Sequence, residues 1–148
     1  MRKFEYVTRD HYKGGVNKLP TRVTKHAAAY DFYSPIDVTI APHGSEMIWT
    51  NVKARMNPDE VLILNVRSSM GKHPVMLSNT QGWIDADYYG DATNDGNIGI
   101  RLANLSDKVY VIRVGDRIAQ GMFIKYLITD DDKGDGAERT GGMGSTGV

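Results

Sequence analysis

Apolar positions along this chain recur with a period of two. IDVTI (residues 36–40) alternates strictly, and NIGIRLAN (97–104) places Ile98, Ile100 and Leu102 on one face. VLILNV (61–66) is a nearly continuous apolar run, the pattern of a strand buried on both faces. VYVIRV (109–114) is rich in β-branched residues, and GMFIKYLI (121–128) is read as a further strand. Turn signals separate these runs at Pro42-His43-Gly44, Asn57-Pro58-Asp59, Asn94-Asp95-Gly96 and Gly115-Asp116. No window sustains a helical stripe, and residues 68–72 fit one short helical turn. Many short strands between regular turns predict an all-β fold: a sandwich, barrel or jelly roll.

From about Asp130 the alternation collapses into DDDKGDGAERTGG. This divides the chain into a β core over residues 1–129 and a solvated linker with a glycine-rich arm over 130–148. The acid cluster lacks the ligand spacing and closing Glu of a calcium loop. RTGGMGSTG (139–147) forms neither helix nor strand, and ordering its nine residues costs on the order of 9–18 kcal/mol. Two readings stay open from the residues alone. One is a disordered tail. The other is an arm that orders on a polyphosphate, using glycine N–H groups, the hydroxyls of Ser145 and Thr146, and the Arg139 fork. GMGSTG also matches GxGxxG, but no helix follows it, so it is no dinucleotide turn.

Composition narrows the function classes. At 148 residues the chain is one domain with room for a core. Its formal net charge is zero and no basic run stands out, which argues against polymeric nucleic acid but not against a single nucleotide. There is no cysteine, no signal-peptide pattern and no long apolar run. The expectation is a soluble, cytoplasmic protein that does not enter membranes. His11, His26, His43 and His73 lack metal-ligand spacing and are read as surface or turn residues.

Two segments carry candidate chemistry. VRSSMG (66–71) sets Arg67, Ser68 and Ser69 where a strand ends, which suits an oxyanion and equally suits a serine-capped turn. NTQGWIDADYYG (79–90) holds Asp85 and Asp87 at i, i+2, on one face if the segment is extended. Asp-x-Asp also commonly bounds a turn. GDRIAQG (115–121) runs from a turn into a strand with polar Gln120 among apolar neighbours.

Taken in order, AAAYDFYSP, VRSS, NTQGWIDADYYG, GDRIAQG and RTGGMGSTG resemble the five motifs of the homotrimeric dUTP pyrophosphatases, the dUTPases. The resemblance spans residues 26–147, and residues 1–20 carry no motif. It implies a jelly-roll homotrimer with active sites at subunit interfaces and an arm that closes as a lid over another subunit's site. It implies hydrolysis of dUTP to dUMP and pyrophosphate. Asp85 matches the carboxylate that activates the water attacking the α-phosphorus, and Asn79 the uracil-reading position on a tight hairpin with Gly82, Trp83 and Ile84. Tyr88 matches the ring under the deoxyribose that excludes a 2′-hydroxyl. Arg67, Ser68, Ser69 and Gln120 match triphosphate contacts, joined from the lid by Arg139, Gly144, Ser145 and Thr146. Mg²⁺ is implied on the phosphates, touched by Asp31 only through water.

The chain departs from the family pattern in places. Met143 stands where a phenylalanine usually stacks on uracil, and Trp83 where a smaller aliphatic residue is usual. Ala29 replaces a glycine, and Val66 precedes Arg67 where proline is common. None of these removes a charged group. The alternatives are a dCTP-deaminase-like enzyme, against which the GSTG lid argues, and a dUTPase-fold regulatory protein with a protein partner, as some phage members have.

Overall fold

The computed structural model describes residues 1–143. Eleven short strands build an all-β fold: β1 (Lys3–Tyr6), β2 (Tyr30–Tyr33), β3 (Val38–Ile40), β4 (Ser45–Trp49), β5 (Val52–Arg55), β6 (Glu60–Asn65), β7 (Val75–Leu77), β8 (Gly82–Asp85), β9 (Gly99–Asn104), β10 (Tyr110–Ile112) and β11 (Arg117–Lys125). A four-stranded sheet, β2-β11-β6-β8, faces a three-stranded sheet, β4-β9-β7, across the core, with two-stranded ribbons β1-β5 and β3-β10 beside them. All the ladders among these strands are antiparallel.

The alternating residues fill the space between the sheets. Phe32, Ile48, Leu62, Leu64, Ile98, Ile100, Leu102, Ile112 and Ile118 are buried in one cluster. β6 is the strand read as apolar on both faces, and its residues are buried or half-buried throughout. Residues 68–72 form the expected turn, a 3-10 helix (Ser68–Lys72). The turn signals also hold. Asp95 and Gly96 both have positive φ (60° and 78°), and His43 sits in a turn at φ 58°.

Strand limits differ from the periodicity. β11 starts at Arg117 rather than Gly121 and ends at Lys125 rather than Ile128. Its early residues pair with β2 and its later ones with β6, so hydrogen bonding extends the strand beyond its apolar run. β3 and β10 are only three residues long, because their pairing covers Val38–Ile40 and Tyr110–Ile112 alone. β1, β2, β4, β5, β7 and β8 have no clean alternation. They exist because long-range partners take up their backbone groups.

A buried ion pair ties the functional side of the sandwich together. Lys53 Nζ donates to Asp95 Oδ1 and Oδ2 at 3.0 and 2.9 Å, and the amide of Thr8 donates to Asp95 Oδ2 at 2.7 Å. Burial works against ionisation of Asp95. The Lys53 and Thr8 hydrogen bonds outweigh it and hold the carboxyl below its ordinary value of 3.8. Asp95→Asn leaves the Lys53 ammonium buried without a counter-charge, an expected loss of about 3–5 kcal/mol, measured as a lower urea midpoint. A depressed folded value also means that this stabilisation is complete above the unfolded carboxyl's value. Thermal scans should show it lost as pH falls from about 4 through the lower folded value.

Candidate functional site

Two clusters collect the candidate residues, and both hang from β6. On one side, β11 pairs with β6 and β2, setting Gln120 opposite both Asn65 and Asp31. On the other, β8 pairs with β6, setting Asp85 opposite Val61.

The first cluster is an open cleft of about 570 Å³ lined by Asp31, Asn65, Arg67, Ser68, Arg117 and Gln120 among others. Arg67 follows the end of β6 and leads into the Ser68–Lys72 turn, whose exposed serines flank it. Asp31 is buried and joins two cations: Arg67 Nε donates to Oδ1 at 3.1 Å and Arg117 Nη1 to Oδ2 at 3.2 Å. Arg67 Nη1 also donates to Ser69 Oγ (3.2 Å), and Gln120 Nε2 to the Val66 carbonyl (3.2 Å). With two guanidiniums against one carboxylate, the cleft keeps an excess positive charge suited to an anion.

Arg117 lies in GDRIAQG, but its role was not legible there. In a regular strand, residues 117 and 120 point to opposite faces. The register of β11 shifts between Arg117 and Ala119, and this bulge brings Arg117 and Gln120 into the same cleft.

The second cluster surrounds the end of β8. Trp83 and Asp85 are exposed on one face of the strand, and Gly82 and Ile84 turn inward. A methyl on Gly82 would stand 3.2 Å from Leu64 Cβ, a tight contact that would push Leu64 back by a few tenths of an ångström. Trp83 Nε1 donates to Gln81 Oε1 (2.9 Å), which fixes an indole that remains 60% exposed. Trp83, Ile84, Asp85, Tyr88, Arg139, Gly142 and Met143 line one depression. A smaller apolar recess of about 150 Å³ adjoins it, lined by Met47, Leu64, Leu77, Asn79, Gly82, Trp83 and Met143 among others.

The segment carrying Asn79 is a tight turn rather than a paired hairpin. β7 pairs with β9 and β8 with β6, so the chain crosses between sheets here, with Thr80 at φ 65°. Asp85 and Asp87 are likewise not on one extended face, because β8 stops at Asp85 and Ala86–Tyr88 forms a 3-10 turn. A single guanidinium joins them instead. Arg139 Nη2 donates to Asp85 Oδ2 at 2.6 Å and Nε to Asp87 Oδ1 at 2.7 Å. The Asp87 hydrogen bond is the main cause holding Arg139 above its ordinary value, with the charges of Asp85 and Asp91 adding to it.

Tyr88 is buried and doubly anchored: its hydroxyl donates to the Asn97 carbonyl (2.8 Å) and accepts from Asn94 Nδ2 (2.6 Å). Burial raises its phenol above the ordinary value. Residues 130–138 are exposed, and the chain then meets β8 through Arg139 and runs on to Met143. Gly144, Ser145 and Thr146 lie outside the described residues.

No group of three or more His, Asp or Glu side chains arranged to hold a metal occurs among the described residues. Asp31, already matched by two arginines, fits a cation that arrives on an anionic ligand rather than one caged by protein. No helix among the described residues is long and apolar enough to cross a membrane.

The chain is 40% identical to a deoxyuridine 5'-triphosphate nucleotidohydrolase of Lactococcus lactis subsp. lactis, covering 100% of this chain and 99% of that protein. It is 33% identical to the enzyme of the same name from Helicobacter pylori strain P12, covering 88% of this chain and 89% of that one. The crystal structure of a dUTPase from Streptococcus mutans superposes with a TM-score of 0.76 at 36% identity, covering 86% of this chain and 98% of that chain. A dUTPase from phage phi11 of S. aureus shares the fold at 20% identity, with a TM-score of 0.71 over 93% of this chain and 98% of that chain. The dUTPase family model matches residues 17–147, and with these relatives it shows that the chain belongs to the dUTPase family.

Proposed function

We propose that this protein hydrolyses dUTP to dUMP and pyrophosphate. The observation that carries the reading is the end of β8, where an exposed carboxylate, Asp85, stands between a buried aromatic ring, Tyr88, and a base-sized apolar recess beside Asn79. Asp85 takes the proton of a water whose oxygen attacks the α-phosphorus, in line with the departing pyrophosphate. The α-phosphorus–oxygen bond to pyrophosphate breaks as the bond to water oxygen forms.

The base enters the recess of Asn79, Gly82, Ile84 and Trp83. Met143, 71% exposed beside Trp83, lays its thioether on the ring. The backbone of the tight 78–81 turn pairs with uracil. Cytosine, with a donor where uracil has an acceptor, leaves these groups unpaired. Tyr88 closes the space under the sugar, and its two hydrogen bonds prevent the ring from yielding to a 2′-hydroxyl. Arg67, Ser68, Ser69 and Gln120 hold the triphosphate together with Arg139, Ser145 and Thr146 of the arm, and Arg117 adds charge to the same cleft. Mg²⁺ carried in on the phosphates would supply charge neutralisation, and Asp31 is the residue that would meet it, through water.

The phosphate cleft and the β8 depression share no lining residue. This supports a complete site assembled from more than one chain, as in a homotrimer. The β3–β10 ribbon also leaves Val109, Val111 and Val114 exposed, apolar surface that association would cover.

The direct test is pyrophosphate release from dUTP, dTTP, dCTP and UTP, with ammonia assayed in parallel. Pyrophosphate from dUTP alone is expected, and ammonia from dCTP would establish the deaminase alternative. Asp85→Asn keeps its shape and loses its basicity, so kcat should fall about 10²–10⁴-fold while the nucleotide still binds. Normal turnover would remove Asp85 from the base role. Tyr88→Ala should raise UTP hydrolysis relative to dUTP, and an unchanged ratio would assign the sugar filter elsewhere. Light scattering at micromolar concentration should give the mass of a trimer, and a fully active monomer would contradict the shared site.

A further inference from the structure

The residues that fix the Tyr88 ring lie outside the five motifs. Residues 91–97 follow the third motif and fold back on Tyr88 twice. At the backbone, the Asp91 amide donates to the Tyr88 carbonyl (3.1 Å), and Gly96, at φ 78°, lies so close that a methyl group would stand 2.5 Å from the same oxygen. At the side chain, Asn94 Nδ2 donates to the Tyr88 hydroxyl (2.6 Å), and that hydroxyl donates to the Asn97 carbonyl (2.8 Å). Asn94 is itself held in place. Its Oδ1 accepts the Gly96 amide (3.0 Å) and its carbonyl accepts the Asn97 amide (3.1 Å), which leaves Nδ2 to face the ring. The loop is clamped from behind as well. Asp95 holds Lys53 and the Thr8 amide, while Asn97 Oδ1 accepts the Asn51 amide (2.9 Å) and Nδ2 donates to the His11 carbonyl (3.3 Å). Asp95, Gly96 and Asn97 are buried and Asn94 is half-buried, and all these contacts are made within one chain.

We propose that Asn94 is a positioning residue for sugar selection. It pins the Tyr88 hydroxyl, so that the ring presents a rigid wall to C2′ of the nucleotide. A 2′-hydroxyl fits only if the ring gives way. Moving the ring breaks the Asn94–Tyr88 bond and takes the hydroxyl from the buried Asn97 carbonyl, which leaves polar groups unpaired. A deoxyribose asks for no such movement and does not sense the bond. Asn94 therefore acts on the difference between two substrates, because an interaction made equally with both cancels in the ratio of their kcat/KM values. The proposal rests on the reading of Tyr88 as the ring under the sugar.

Asn94→Ala should raise the kcat/KM of UTP relative to dUTP about two- to tenfold, as the loss of one net hydrogen bond gives. The change should fall on the KM for UTP. Tyr88→Phe keeps the ring and removes the pinned oxygen, so it should raise the ratio similarly, and adding Asn94→Ala to it should raise the ratio no further. Thr93→Ala removes the Thr93 hydroxyl bond to Asp91 from the same loop without touching Tyr88, and it should leave the ratio unchanged. An unchanged ratio in Asn94→Ala, an equal rise in Thr93→Ala, or effects of Asn94→Ala and Tyr88→Phe that multiply would overturn the proposal. Nuclear magnetic resonance of isotope-labelled tyrosine gives a readout that needs no turnover. The Tyr88 signal, assigned by its loss in Tyr88→Phe, should show faster ring flips in Asn94→Ala than in the unsubstituted protein, and equal flip rates would overturn the pin. If the protein released no pyrophosphate from dUTP, the nucleotide reading would fall, while the pin at Asn94 would still be judged by the ring flips.

Discussion

One strand, paired on both edges and buried or half-buried along its whole length, sets the geometry of both candidate clusters in this chain. β6 takes β11 along one edge and β8 along the other. Its apolar side chains are held between the sheet interior and the segments behind it, so a slip of one residue would drive Leu62 and Leu64 out of the core. The register is thereby locked. A locked register places Gln120 beside Asn65 and Asp85 beside Val61, at opposite edges of one rigid strand. The Arg67–Arg117 cleft and the β8 depression are separate because β6 lies between them. A dUTPase site that needs both therefore favours assembly from several chains.

Charge is distributed unevenly over this scaffold. In the cleft, Asp31 is outnumbered by Arg67 and Arg117, which leaves net positive charge for an anion. At the end of β8 the balance reverses, with Asp85, Asp87 and Asp91 around one arginine supplied by the arm. A chain with no net charge thus presents one anion-seeking and one cation-seeking surface. The arm satisfies the second with Arg139, the same residue assigned to the triphosphate. The buried Lys53–Asp95 pair stands behind this region. The loop it anchors also carries Asn94 and Asn97, which fix the Tyr88 hydroxyl.

Much of this was legible in the residues. Strict alternation in NIGIRLAN and the unbroken run VLILNV marked β9 and β6, because a half-buried strand must alternate and a doubly buried one need not. Asn94-Asp95-Gly96 announced a turn because those residue types tolerate positive φ. The five ordered motifs pointed to the family, because nucleotide chemistry constrains residue type at each contact. Strands such as β1, β5 and β7 left no local trace. They are held by partners far along the chain, and no short window contains that information.

What the sequence by itself determined is the all-β class, the main turns and the identity of the chemical groups. All three follow from local sterics, side-chain polarity and periodicity. Only the tertiary structure decided which groups meet. A bulge in β11 brought Arg117 round to Asp31, against the parity of a regular strand. A 3-10 turn took Asp87 off the face of β8, and a guanidinium some fifty residues away reunited it with Asp85. Both outcomes depend on where the backbone leaves regular geometry and on contacts between distant segments, which the order of residues specifies only through the completed fold.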